Sequence, residues 1–248
     1  MHFLGIDVGG TGIKAGLVDL EHGRLASDRV RLDTPRPPTL SAVTETILTI
    51  VQEVDADAEQ IGVAFPARIK RGIVTTATNI DPAFIGTNLA SLLSSMTGAD
   101  VHVLNDADAA GLAEMTMGAG QGRSGVVITI TVGTGLGTAV FVDRKLLPGT
   151  ELGHIRIKGK PAEDYAADSV RKEKDLSWKD WAGRFQRYLD QIEFLFAPDL
   201  IILGGGISKD SKKVEYFEYL STSADLATAT LGNNAGIVGA AAAARDNL

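Results

Sequence analysis

The stretch that decides the fold is Ile6-Asp7-Val8-Gly9-Gly10-Thr11-Gly12-Ile13-Lys14. Residues 3–8 are apolar and β-prone, and Ile13 to Leu20 reads as a second strand. So few residues separate them that the unit is strand, turn, strand: a hairpin. A Walker-type loop or a dinucleotide fingerprint would place a helix after the glycines. Lys14-Ala15-Gly16-Leu17-Val18 reads poorly as a helix. Glycines also let backbone N–H groups converge on an anion that a side chain would keep at a distance. Thr11 adds a hydroxyl and Lys14 a positive charge, so the turn suits phosphate. Asp7 is odd for pure anion binding, unless a divalent cation, or a water on one, sits between it and the phosphate.

A similar stretch returns as Ile130-Thr131-Val132-Gly133-Thr134-Gly135-Leu136-Gly137, after the β-branched run Val126 to Val132 and before Thr138 to Asp143. Laid over each other without gaps, Ile6–Asp19 and Ile130–Asp143 agree at six of fourteen positions, at an offset of 124 residues, half the chain. Two unrelated hairpins in Gly- and Val-rich sequence would look much the same. The sharper reading, adopted here, is an internal duplication: two α/β lobes, each turning one Gly-rich hairpin toward a shared cleft.

The remainder alternates between strands and helices. Leu40 to Val54 carries Val43, Ile47, Ile50 and Val54 on one helical face. Ile61 to Phe65 and Val101 to Leu104 read as buried strands, Ala107 to Met115 as a helix. Ser177 to Phe196 repeats Trp178, Trp181, Phe185, Tyr188, Ile192 and Leu195 at spacings of three and four, which marks a core face, with Ser177 able to cap it. Leu200 to Leu203 is a strand running into Gly204-Gly205-Gly206, and Ala235 to Arg245 an Ala-rich helix. The expected domains are an N-terminal small lobe over 1–112, a C-terminal large lobe over 113–232, and a helix over 233–248 that packs back on the first lobe.

A net charge of −7 argues against a nucleic-acid or anionic-membrane binder, whose affinity comes from basic patches. The chain has no cysteine, so it forms neither disulfides nor thiolate metal sites. No segment reaches the ~18 apolar residues of a membrane span, and no signal-type run opens the chain. A cytoplasmic protein is expected.

Other stretches carry chemistry-bearing residues. Leu104-Asn105-Asp106-Ala107-Asp108 joins a strand to a helix. There an Asn or Asp caps the helix, or a carboxylate at a strand's C-terminal end accepts a proton from a hydroxyl. Glu151-Leu152-Gly153-His154, with Glu163 soon after, suits sugar hydroxyls, or is simply solvated. His154 lacks the partners for a zinc site. Gly204-Gly205-Gly206 is either a cradle for phosphate or adenosine, or a tight turn. Arg171, Lys172, Lys174, Lys179, Arg184, Arg187, Lys209, Lys212 and Lys213 are solvated surface charges or a track for a long anion.

Taken in order, Gly5 to Lys14, Leu104 to Asp108, Gly133 to Gly137 and Glu151 to His154 resemble the ROK sugar kinases. Asn105 to Glu114, Asp175 to Leu189, Pro198 to Lys209 and Asn233 to Ala240 resemble more closely the polyphosphate glucokinases within that family. The resemblance runs nearly end to end. It implies the two-lobed actin-like, ribonuclease-H-like fold and phosphoryl transfer to the 6-hydroxyl of glucose from inorganic polyphosphate, ATP, or both. It implies Asp106 as catalytic base and Asn79, Asn105, Glu151, His154 and Glu163 as glucose-binding groups. Asp7, Gly9, Gly10, Thr11, Gly12, Lys14, Thr134 and Gly135 then belong to the donor-phosphate loops, and Gly204, Gly205 and Gly206 lie near the nucleotide or donor chain. Mg²⁺ on the phosphates and a homodimer are expected.

Two departures stand out. Many members of the family carry a Cys-rich zinc motif after the Glu-Leu-Gly-His segment; its absence here removes a rigid support for His154 and Glu163. The family usually has Pro-Gly where this chain has Pro66-Ala67, so a left-handed backbone there would strain the alanine. Two rival classes are set aside. A sugar-responsive repressor needs an added N-terminal DNA-binding domain, for which a first strand beginning near residue 3 leaves no room. An actin- or Hsp70-like ATPase lacks the set Asn105-Asp106 with Glu151-Leu152-Gly153-His154.

Overall fold

Two β-sheets with the same strand order organise the protein. The computed structural model describes residues 2–22, 24–55, 57–78 and 80–248. The first sheet is built from β1 (His2–Val8), β2 (Gly12–Asp19), the short β3 (Arg24–Leu25) and β4 (Val30–Asp33), β5 (Gln60–Phe65) and β8 (Asp100–Asn105). Its order is β3-β2-β1-β5-β8, with β4 also paired to β2. Between these run α1 (Leu40–Asp55), the small hairpin β6 (Ile69–Lys70) and β7 (Ile73–Val74), and α2 (Leu89–Thr97); α3 (Asp106–Met117) follows β8. The second sheet contains β9 (Val126–Val132), β10 (Leu136–Val142), β11 (Lys145–Leu147), β14 (Leu200–Gly205) and β15 (Asp225–Thr228), in the order β11-β10-β9-β14-β15. Between β11 and β14 come the hairpin β12 (Arg156–Ile157) and β13 (Lys160–Pro161), α4 (Glu163–Ala166), α5 (Asp168–Glu173) and α6 (Trp178–Phe196). α7 (Asp210–Tyr216) precedes β15, and α8 (Ala235–Asp246) closes the chain.

The chain divides into two compact units, residues 1–117 with 233–248, and residues 118–232. The boundary falls after Met117 rather than at 112 because α3 is one unbroken helix. In each unit a central strand (β1 or β9) has an antiparallel hairpin partner on one side and two parallel strands on the other. This is the arrangement a duplication produces.

The registers differ by one residue, however. Val8 lies opposite Ile13 in the first hairpin, whereas Val132 lies opposite Leu136 in the second. The second turn is one residue shorter, so the ungapped overlay is correct for the first strand and slips by one in the second strand.

In the first unit one face of the sheet supplies Leu4, Ile6, Val8, Ile61, Val63, Phe65, Val101 and Val103 to a core shared with α1 and α2. The alternation of a strand then sends Gly5 and Asp7 to the other face. α8 lies there against backbone: side chains on Gly5 or Gly62 would begin 2.0 and 1.7 Å from the carbonyl oxygens of Ile237 and Ala240. In the second unit α6 lays Trp181, Phe185, Tyr188, Leu189 and Ile192, all fully buried, against Ile128, Ile130, Val132, Ile201 and Leu203. Ser177 caps α6, its Oγ accepting the Asp180 N–H at 3.1 Å. The apolar stripe runs from Ile192 to the partly buried Phe196, which packs against the same core, whereas Leu195 is exposed.

Among the described residues no helix is long and apolar enough to cross a membrane.

Candidate active site

In the first unit, Asp7 and Lys14 face each other across the β1–β2 ladder, with Nζ to Oδ2 at 3.1 Å. The lysine expected on a phosphate is therefore already paired with the aspartate. The turn between them is closed by the Gly9 N–H donating to the Gly12 carbonyl at 3.1 Å, which removes that amide from anion binding. The exposed tip is Gly10-Thr11. Two side chains absent from the sequence reading hold the turn. Thr34 Oγ1 donates to the Gly9 carbonyl at 2.5 Å, and Arg31 Nη2 donates to the Thr11 carbonyl at 2.9 Å while Nη1 reaches Asp33 at 2.8 Å. A trans peptide sets its C=O and N–H in opposite directions, so fixing the Gly9 carbonyl turns the Gly10 N–H away from Thr34. Arg31 and Thr34 come from β4 and the residue following it, with no local spacing to reveal them.

Asn105 and Asp106 sit where β8 ends and α3 begins. Asn105 takes the capping role: its Oδ1 accepts the N–H groups of Ala107 at 2.8 Å and Asp108 at 3.2 Å. Its Nδ2 donates to the Ala67 carbonyl at 3.1 Å. Asp106 is exposed, with Oδ1 accepting the Ala107 N–H at 2.9 Å. The strain expected at Ala67 is absent. Ala67 is not among the non-glycine residues with positive φ, and its N–H donates to the Phe65 carbonyl at 2.8 Å in a tight three-residue turn. Asn79 lies outside the described residues.

In the second unit Glu151, His154 and Glu163 come together. Glu151 and His154 are three apart in a turn of 3₁₀ helix, where such residues share a side. His154 Nδ1 lies 3.1 Å from Glu163 Oε1, and Nε2 lies 3.9 Å from Glu151 Oε2. Thr138 on β10 holds this loop, donating to the Thr150 carbonyl at 3.1 Å and accepting the Leu152 N–H at 3.0 Å. Glu163 opens α4, and its Oε2 lies 2.5 Å from where a side chain on Gly135 would begin, so only glycine leaves room for the carboxylate there. The loss of support expected from the missing cysteines is not observed. The Ala162 N–H donates to the Ile155 carbonyl at 2.8 Å across the β12–β13 hairpin, and Trp181 Nε1 donates to the Ala166 carbonyl at 2.9 Å, tying α4 to the core.

The Gly133–Gly135 turn is closed as the first one is, by the Gly133 N–H donating to the Gly135 carbonyl at 3.1 Å. Ser169, at the start of α5, holds it from outside. Its N–H donates to the Gly133 carbonyl at 3.1 Å and its Oγ to the Thr134 carbonyl at 2.6 Å. Gly204-Gly205-Gly206 abuts the same place. Gly205 has φ +78°, and a side chain on it would begin 2.5 Å from the Val132 carbonyl oxygen, so conformation and contact both require glycine. The Gly206 N–H donates to that carbonyl at 3.0 Å. Thr134, Gly135, Gly204, Gly205 and Gly206 are thus brought to one end of the second sheet.

Several of the basic residues are engaged within the second unit. Arg171 and Lys172 both reach the buried Asp168 at 2.8 Å, and Arg171 also stacks on Trp178 at 3.9 Å. Arg184, Lys179 and Lys213 lie over Tyr165, Tyr219 and Phe217. Among the described residues the one group of three potential metal ligands is Asp19, Glu21 and His22, in the β2–β3 turn.

The chain is 45% identical over 98% of its length, and 91% of the relative's, to the polyphosphate glucokinase of Mycobacterium tuberculosis (strain ATCC 25618 / H37Rv). Among solved structures it resembles the inorganic polyphosphate/ATP-glucomannokinase of Arthrobacter sp. strain KM. There the identity is 44%, 100% of this chain and 99% of that one are covered, and the TM-score is 0.90. It also resembles a ROK family glucokinase from Streptomyces griseus in complex with glucose and AMPPNP, at 29% identity, covering 99% and 100% of the two chains with a TM-score of 0.83. Residues 3–175 match the profile of the ROK family, and with two sheets of one strand order, each opening on a glycine-rich hairpin, the chain belongs to that family.

Proposed function

We propose that the protein transfers a phosphoryl group from inorganic polyphosphate, and also from ATP, to the 6-hydroxyl of glucose. The observation that carries the chemistry is Asp106, an exposed carboxylate at the C-terminal end of β8 whose neighbour Asn105 takes over the capping of α3. The donor is supported by the similarity to proteins that use polyphosphate.

Phosphoryl transfer asks for positioning and charge stabilisation more than for covalent work by the protein. In this reading Asp106 aligns the hydroxyl and takes its proton, a contribution of roughly 10²–10⁴-fold. Glu151, His154, Glu163, Asn105 and Asn79 hold the sugar hydroxyls. The carboxylates accept, and the Asn105 amide is oriented by its bond to Ala67. Gly10, Thr11 and Gly12 in the first unit, with Thr134, Gly135 and the Gly204–Gly206 turn in the second, hold the donor phosphates. Asp7 and Lys14 act as a pair at the base of the first hairpin.

The residues at this hairpin fit Mg²⁺ carried by the phosphates, because that ion takes one or two carboxylates along with phosphate and water. Asp7 offers one carboxylate there, already sharing Oδ2 with Lys14. When bound, Mg²⁺ would neutralise charge on the donor. A homodimer in the cytoplasm belongs to this reading through the family resemblance, and light scattering decides the first point.

The runner-up is a strictly ATP-dependent glucokinase, favoured by the likeness to a relative that binds glucose with AMPPNP. The test is glucose 6-phosphate formation by purified protein with Mg²⁺ and glucose, with polyphosphate and ATP in parallel. Product from polyphosphate upholds the reading. Product from ATP alone selects the runner-up, and no product from either refutes both.

A further inference from the structure

Of the basic residues from Arg171 to Lys213 weighed above as a track for a long anion, Lys212 differs from the rest in its surroundings. Lys212, on α7, is half-buried, and among the described residues no carboxylate pairs with it. Arg171 and Lys172 are neutralised by Asp168. Arg184, Lys179 and Lys213 rest on aromatic rings, and Lys174, Arg187 and Lys209 are exposed. The Lys212 ammonium lies 3.9 Å from where a side chain on Gly206 would begin, and the Val132 carbonyl oxygen lies at the same distance from that point. Val132 is the last residue before the Gly133–Gly135 turn, and the Gly206 N–H donates to it. An ammonium without a carboxylate partner, carried on a half-buried side chain, therefore sits where the two glycine-rich turns of the second unit meet. Its charge has no carboxylate counter-ion among the described residues. An anion arriving at these turns supplies that counter-ion.

We infer that Lys212 contacts the donor, binding through its ammonium a phosphate of the polyphosphate chain behind the one that is transferred. The inference rests on the polyphosphate reading above and adds to it the cation that holds the chain's tail end. A phosphate chain offers charge at every unit, so one fixed ammonium suits it in any register, and its strong hydration and point charge make lysine apt for this contact.

The test compares wild type, Lys212→Gln and Lys212→Arg. Steady-state kinetics are run with polyphosphate and with glucose varied in turn, alongside calorimetric titration with inorganic tripolyphosphate in the absence of sugar. Lys212→Gln is expected to raise the KM for polyphosphate and the Kd for tripolyphosphate by about tenfold or more, as loss of a charge-assisted hydrogen bond implies. The KM for glucose and the melting temperature should stay near wild type, and Lys212→Arg should recover most of the loss. Unchanged polyphosphate KM and tripolyphosphate Kd in Lys212→Gln overturn the inference, as does an equal rise in the glucose KM. A wild type that makes no product from polyphosphate overturns the donor reading instead. Titration then still decides on Lys212: tripolyphosphate held by wild type but not by Lys212→Gln upholds the contact, and equal or absent binding overturns it.

Discussion

Substituting Gly236 by alanine separates the chemistry at Asp7 from the stability of the first unit. Gly236 is the second residue of α8, and a side chain on it would begin 2.6 Å from the Asp7 Cγ and 2.8 Å from its Oδ1. Carbon–carbon contacts settle at ~3.5–4.0 Å, so the Asp7 carboxylate has to retreat by about 0.9 Å. That distance is enough to disturb the 3.1 Å pair with Lys14. The obstacle is the end of a side chain, so the backbone can stay in place, and alanine is the better helix former by up to ~1 kcal/mol. Local crowding costs about 1–3 kcal/mol in turn. The net change of roughly 2 kcal/mol or less corresponds to a fall in Tm of no more than about 4–8 °C for a chain of this size. Misplacing a group of the reacting site by about 1 Å costs turnover on the order of 10²-fold, so a fall in kcat of about 10–100-fold is expected. Gly62→Ala is the contrasting control. There the new atom would lie 1.7 Å from the Ala240 carbonyl oxygen, backbone against backbone, and α8 itself has to move. The cost should exceed the ~3 kcal/mol upper range for side-chain overpacking, with a fall in Tm of more than about 6 °C. Thermal melts and glucose 6-phosphate assays on both variants decide the matter. Full activity in a folded Gly236→Ala protein would refute the role given to Asp7.

Asp106→Asn should keep the fold and glucose affinity but lose turnover by roughly 10²–10⁴-fold, read by kcat and by glucose titration. Unchanged activity removes Asp106 from the role of base. Gly135→Ala would push the Glu163 carboxylate off its seat, 2.5 Å from the new atom, and should raise the KM for glucose about tenfold with a smaller effect on Tm; an unchanged glucose KM disproves the sugar contact. Burial pushes the Asp168 carboxyl up, but the hydrogen bonds from Lys172 and Arg171 more than offset this and hold its pKa below the usual carboxylate value. Its contribution to stability is therefore present above the unfolded value of ~3.9 and is lost as pH falls through the lower folded value. Melting curves across pH 3–7 should show an acid-side loss in wild type that flattens in Asp168→Asn, whose melting temperature is lower at neutral pH. Parallel curves for the two proteins would dismiss the linkage.

The hairpins were legible because turn chemistry is local: Gly9 to Gly12 and Gly133 to Gly135 can be read from the residues themselves. The register was not legible. In an ungapped overlay Ala15 falls on Ala139, yet the strand partner of Ile6 is Ala15 and that of Ile130 is Thr138. A slip of one residue moves every side chain of a strand to the other face. Six identities in strands rich in Gly, Ala and Val could not reveal it, since such residues occur on both faces of a buried sheet. The acids of the site stand out in sequence because each lies beside a turn, but their roles came from the resemblance. Asn105 shows why local reading stopped short. The bond that caps α3 and the bond to Ala67, 38 residues away, use opposite ends of one amide, and only the first has a local signature. Arg31, Thr34, Ser169 and Gly236 were missed for the same reason, since each holds a turn or a carboxylate that lies far from it in the chain.

The missing cysteines show how a burden can move from a metal to the core. Where many members of the family place a zinc motif, this chain has the short hairpin from Arg156 to Pro161, closed by the Ala162 N–H on the Ile155 carbonyl and by Arg156 Nη1 on the Gly159 carbonyl at 2.7 Å. A hairpin of two-residue strands is marginal by itself. What fixes Glu163 is the next turn of chain. α4 is held by the Trp181 indole N–H, and Trp181 is itself locked by stacking on Phe185 at 5.0 Å and an edge contact to Tyr216 at 5.2 Å. These rings are large, fully buried and low in conformational freedom, so the position of α4 is set by packing rather than by a ligand sphere. The carboxylate is then confined between Gly135 on one side and His154 on the other. The aromatic stripe of α6, which in sequence reads as core and nothing more, thereby becomes the support of the Glu163 carboxylate, because a hydrogen bond from the core reaches the short helix that carries it.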